Sequence, residues 1–97
     1  MKVILKMMNL KEKELHIFND GDRYEGDWKN DKREGKGILY ISDGNRYEGD
    51  WKNDKIEGKG IVYSNNGDRD IGDFKDGKAI GKHIIFYKNG EVKTENY

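Results

Sequence analysis

The sequence predicts an all-β protein: an elongated, single-layer, twisted antiparallel meander of stacked β-hairpins. Three observations predict it. Residues 24–46, YEGDWKNDKREGKGILYISDGNR, are followed by a near copy at 47–69, YEGDWKNDKIEGKGIVYSNNGDR, so the period is 23 residues. A period in this range marks one supersecondary unit stacked on copies of itself. Turn dipeptides recur at the same interval, at Asp20-Gly21, Asp43-Gly44, Asn66-Gly67 and Asn89-Gly90, between runs of β-compatible residues, which is the strongest short-range hairpin signal. The chain also carries 13 glycines, each costing about 1 kcal/mol in a helix interior, so a helical account fails.

The bulk composition limits the function classes. Hydrophobic residues are only 33% and charged residues 39%, a balance that leans toward disorder. The regular spacing of the aromatics argues the other way and predicts a narrow, repeated core whose stability depends on neighbouring units. Lys plus Arg and Asp plus Glu are equal at 19 each, so no basic field points to nucleic acid. There is no cysteine, hence no disulfide framework and no thiolate metal site, which fits a reducing compartment. No apolar run reaches membrane-spanning length. The N-terminal stretch is short, is broken by Lys6 and lacks a small-residue cleavage site, so no signal peptide is expected.

One domain spans residues 1–97, with a degenerate unit over 1–23, repeats at 24–46 and 47–69, a divergent repeat over 70–92 and an edge strand over 93–97. Val3-Ile4-Leu5 is a β-compatible cluster, and Leu5, Leu15 and Ile17 fall one period before Trp28, Ile38 and Tyr40. A short helix over residues 1–12 remains the alternative. Two-residue loops at the Asp-Gly turns would oppose Tyr40 to Tyr47, Ile38 to Gly49 and Lys36 to Trp51, with Ile17 opposite Tyr24 and Tyr63 opposite Asp70. One face would then carry Ile38, Tyr40, Tyr47 and Trp51, and the other a column of His16, Leu39, Val62 and Ile85. Residues 30–34 are expected to form a longer polar loop. Gly35, Gly37, Gly58 and Gly60 would begin the second strands, with a tryptophan lying across them. In the third unit Phe74 replaces tryptophan, Asp70 replaces tyrosine and His83 replaces a strand glycine. The strands at both ends leave backbone edges open to pairing.

The stretch YEGDWKNDKREGKGILY with its Asp-Gly turn resembles the MORN (membrane occupation and recognition nexus) repeat. The pattern fits at Tyr24, Glu25, Gly26, Trp28, Gly35, Gly37 and Gly44, and again at Tyr47, Glu48, Gly49, Trp51, Gly58, Gly60 and Gly67. It extends loosely over 70–92, where Asp70 and His83 depart from it. The resemblance implies stacked hairpins and a scaffold or protein-interaction role, with acidic phospholipid as an alternative ligand and no catalysis by the repeat itself.

The candidate partner-binding residues are the aromatics Tyr24, Trp28, Tyr40, Tyr47, Trp51, Tyr63, Phe74 and Phe86, expected on one face. Their competing role is a self-packed core; a single layer leaves part of that face open, and aromatics with polar handles suit interfaces. Lysines form two rows, Lys29, Lys52 and Lys75, then Lys36, Lys59 and Lys82, which would serve an anionic lipid surface or form solvated ion pairs with nearby aspartates. His16 and His83 stand too far apart to share a metal. No catalytic constellation, phosphate loop or calcium loop is present, so no cofactor or small-molecule substrate is expected. The expectation is a non-catalytic module that binds a protein partner or itself. The alternatives are a lipid adaptor or the regulatory module of an enzyme complex. The expected location is cytoplasmic, including peripheral attachment at a membrane or the cytoskeleton.

Overall fold

A computed structural model describes residues 3–6, 13–18 and 20–97. It holds nine strands: β1 (Val3–Lys6), β2 (Lys13–Ile17), β3 (Arg23–Lys29), β4 (Lys32–Tyr40), β5 (Arg46–Lys52), β6 (Lys55–Tyr63), β7 (Arg69–Lys75), β8 (Lys78–Phe86) and β9 (Val92–Asn96). They form one sheet in sequence order, and every neighbouring pair is antiparallel. This is the predicted meander. Val3–Lys6 is a strand paired with β2; the remainder of the helix alternative, residues 1–2 and 7–12, lies outside the described residues. β9 adds the strand expected near the C-terminus.

The two kinds of turn are interchanged relative to expectation. The supposed long loop over 30–34 is a two-residue turn: Lys29 faces Lys32, and Asn30 and Asp31 take φ of 50° and 63°. Asn53 (50°) with Asp54 (70°), and Asp76 (51°) with Gly77 (80°), repeat it. Positive φ at both central residues is the type I′ signature, and Asn and Asp tolerate it better than other non-glycine residues. The Asp-Gly turns are instead three-residue loops. Ile41 N–H donates to Asn45 O at 2.8 Å and Gly44 N–H to Ile41 O at 2.9 Å, with Gly44 at φ 99°. That geometry is a type I turn closed by a left-handed glycine, which an Asp-Gly dipeptide suits equally well.

The extra loop residue slips the register by one. Tyr40 faces Arg46 and Leu39 faces Tyr47; Ile17 faces Arg23; Val62, not Tyr63, faces Asp70. A slip of one exchanges the faces of a strand. Tyr24, Tyr47, Trp51 and Phe74 therefore share a face with Leu39 and Val62, while Tyr40, Tyr63 and Phe86 stand on the opposite face. The expected single aromatic face does not exist, and the supposed outer column of His16, Leu39, Val62 and Ile85 lies on the core side.

Tyr24, Tyr47, Trp51 and Phe74 are 0, 3, 4 and 7% exposed and form the core, with Trp28, Leu39, Ile56 and Val62 packed against them. Tyrosine, not tryptophan, covers the glycines. A β-carbon at Gly37 would run into the Tyr24 ring, and one at Gly60 into the Tyr47 ring. β3–β4, β5–β6 and β7–β8 each carry a bulge. In the first two, an aspartate accepts a backbone N–H across it, from Lys36 to Asp27 at 3.1 Å and from Lys59 to Asp50 at 3.3 Å, beside Gly35 and Gly58 at φ 79° and 81°.

Both long edges are tied at the repeat period. Ser42 N–H donates to Asp22, Asn65 N–H to Asn45 and Lys88 N–H to Asp68, at 2.9, 2.7 and 2.9 Å. On the other edge Asn53 N–H donates to Glu34 and Asp76 N–H to Glu57, at 2.8 and 3.0 Å. Each turn is thus held by the unit before it, which is how a narrow sheet with a thin core resists fraying.

Candidate functional site

The inner face carries a continuous aromatic spine. Trp51 lies edge-on between Tyr24 and Tyr47, at centroid distances of 5.3 and 5.4 Å, and Phe74 between Tyr47 and His83, at 5.4 and 5.2 Å. Trp28 stacks on His16 at 3.8 Å, and Tyr97 closes the other end against His83 at 4.8 Å. Such edge-to-face pairs add about 0.5–1.5 kcal/mol each beyond area burial. Tyr97 falls one period after Phe74, at the tryptophan position, a correspondence legible in the spacing but missed by motif matching.

The central rings of the spine are hydrogen-bonded as well as packed. The Tyr24 hydroxyl donates to Asp27 O at 2.8 Å and that of Tyr47 to Asp50 O at 3.1 Å. The Trp51 indole N–H donates to Gly37 O at 3.2 Å. Burial, then the Asp50 charge, pushes the Tyr47 hydroxyl up to about 12; burial and then the Asp27 charge push Tyr24 up as well. Arg33 lies over the Trp51 ring at 4.5 Å and meets Asp54 at 2.6 Å, so one guanidinium covers the spine and joins two units.

In the third unit the same space is filled from the other strand. The His83 ring occupies the room that tyrosine takes elsewhere, and a β-carbon at Gly72 would run into it. Its Nε2 lies 2.8 Å from Asp73 O, the counterpart of the tyrosine hydroxyl bond, and its Nδ1 lies 2.7 Å from the Asp70 carboxylate. Both neighbours accept hydrogen bonds, which suits a doubly protonated ring. Burial draws the His83 pKa down, but the Asp70 and Asp73 hydrogen bonds and the Asp70 charge outweigh it and raise it above 6.5.

The outer face carries three rows that cross the strands. The first alternates cations and rings: Arg23 over Tyr40 at 4.2 Å, Arg46 over Tyr63 at 4.1 Å, and Arg69 over Phe86 at 5.4 Å. The second runs Leu15, Glu25, Ile38, Glu48, Ile61, Ile71 and Ile84, each facing the next. In the third, Lys36 pairs with Asp50, and Lys59 with Asp73 at 3.8 Å. Between the second and third rows lies a groove of about 600 Å³ floored by Gly26, Gly37, Gly49, Gly60 and Gly72.

The predicted residues are thus divided. Tyr24, Tyr47, Trp51 and Phe74 are buried, with Trp28 part of the same spine. Tyr40, Tyr63 and Phe86 lie outside, in the arginine row. Lys36 and Lys59 are engaged with aspartates, while Lys82 stands opposite Asn96. Lys29, Lys52 and Lys75 are exposed beside the type I′ turns. The arginine row and the Ile–Glu row were missed, although both recur at the 23-residue period; their meaning depends on which face the strands present. Among the described residues no group of side chains could hold a metal ion, and no helix is long and apolar enough to cross a membrane.

A search of the curated proteins found no match. The profile of the MORN repeat matches residues 24–46 and 47–69. MORN repeats are typically non-catalytic modules associated with protein and lipid interaction. With the stacked hairpins described above, these two matches make the chain a MORN repeat protein.

Proposed function

We propose that this chain is a scaffold module that binds an extended segment of a protein partner along its outer face. The observation that carries this is the groove: it crosses five strands, has a bare glycine backbone as its floor, and is flanked by Ile38, Ile61 and Ile71. Glycine lets a ligand approach the backbone closely, and a concave surface with apolar side chains and a few fixed charges is the usual form of a binding site. The buried aromatics set the shape of that surface, and the ring-bearing residues open to a partner are Tyr40, Tyr63 and Phe86.

Charge weighs against lipid as the ligand. The net charge is zero, and Lys36 and Lys59 are already compensated by Asp50 and Asp73. The test is selection of random displayed peptides on the immobilised chain. Peptides should be enriched on the native chain and lost on Ile61→Asp, while Lys52→Ala retains them. Salt-sensitive sedimentation with phosphatidic acid vesicles, abolished by alanine at Lys29, Lys52 and Lys75, would overturn the reading in favour of lipid. Pairing of edge strands β1 and β9 between copies would appear as a solution mass above the 11.3 kDa of one chain.

A further inference from the structure

The groove is not uniform along its length. At the end toward β3, the positions facing Ile38 from either side are Glu25 and Glu48. One period further on the same position is Ile71, which faces Ile61. The two glutamates are half-buried, and among the described residues neither makes an ion pair or side-chain hydrogen bond, in contrast to Asp50 and Asp73, which take the groove's lysines. The nearest cations along their strands, Arg23 and Arg46, are held over Tyr40 and Tyr63. One end of the groove therefore presents two uncompensated carboxylates and the other an apolar patch.

The spacing selects a ligand. Neighbouring strands lie about 4.8 Å apart, so Glu25 and Glu48, two strands apart, present their charges on the order of 10 Å from each other. A polyproline II segment rises about 3.1 Å per residue, which places residues three apart at that distance. Two further strands lead from Glu48 to Ile71, again about three residues.

We propose that the groove receives an extended partner segment bearing two cationic side chains three residues apart, at Glu25 and Glu48, and an apolar side chain three residues beyond, at Ile71. This rests on the docking role proposed above. Half-buried carboxylates already held by the sheet lose little freedom on pairing, and the apolar end fixes the direction in which the segment runs.

The peptide selection tests it. Peptides whose binding requires Ile61 should share Lys or Arg at two positions three apart, and Glu25→Gln/Glu48→Gln should weaken them at least about fivefold and remove most of the salt dependence. Ile61-dependent peptides without the cation pair, or unchanged affinity in the glutamine variant, would overturn the proposal and leave the docking role standing. If no peptide requires Ile61, both fall. Melting curves verify that each variant folds, and Ile38→Ser replaces Ile61→Asp if the latter melts early.

Discussion

The two near-identical repeats at 24–69 and the third unit at 70–92 fill the same space by different means. In the repeats, a tyrosine on the first strand of a hairpin lies over a glycine on the second, and its hydroxyl reaches an aspartate carbonyl. In the third unit the glycine is on the first strand, at Gly72, and the ring, His83, is on the second. The ring again reaches the aspartate carbonyl, and the vacated tyrosine position, Asp70, supplies a carboxylate to its other nitrogen. The sheet therefore requires one flat ring with a donor at this depth, opposite a residue without a side chain; it does not require that ring to come from one particular strand. The exchange also places a titratable ring in the packing of the third unit.

The largest effect is expected at Trp51, which touches tyrosines from both repeats and donates to Gly37 O. Trp51→Ala should cost about 3–5 kcal/mol, a large part of the stability of a small domain. Chemical denaturation should show loss of the whole cooperative transition, and an unaltered midpoint would refute the spine as the core. The ring exchange is tested by a double-mutant cycle. Asp70→Tyr alone drives a second ring against His83, and His83→Gly alone leaves a cavity. The pair together restores the tyrosine-over-glycine arrangement, so the coupling should be favourable by about 1–3 kcal/mol; additive losses would sink the equivalence.

Smaller effects are expected at the glycines, at His83 and at the surface ion pairs. Gly60→Ala collides with Tyr47 and should cost about 1–3 kcal/mol. Gly81→Ala meets no atom and carries only the strain of φ 68°, of order 1 kcal/mol, so the melting point should fall further for Gly60. The pH dependence follows from the raised pKa of His83. A raised folded-state pKa contributes stability that is fully present below about 6.5 and is lost as pH rises through the folded value. The chain should melt higher near about pH 6 than near about pH 9, and His83→Gln should flatten that difference. Tyr47, at about 12, stays neutral throughout. Smallest of all, Lys59→Ala removes an exposed pair with Asp73 and should change stability by less than about 1 kcal/mol, measurable by the same denaturation.

The sequence alone determined the 23-residue period, the antiparallel order of the strands and where the chain reverses. These follow from local chemistry repeated at 23 residues: glycine and aspartate where the chain must reverse, aromatics where each unit must bury a side chain. The same repetition marked Asp70 and His83 as departures, though not that they compensate each other. What the tertiary structure decided was the face of every second strand. An Asp-Gly pair fits a two-residue or a three-residue loop equally well, and the choice is made by the register of the whole sheet. There, three-residue loops place Leu39 beside Tyr47 in the core, and two-residue turns with bulges at the other edge take up the slip. That single residue moved Tyr40, Tyr63 and Phe86 outward, brought His16 and Leu39 to the core side, and set Ile38 between Glu25 and Glu48 on the outer face.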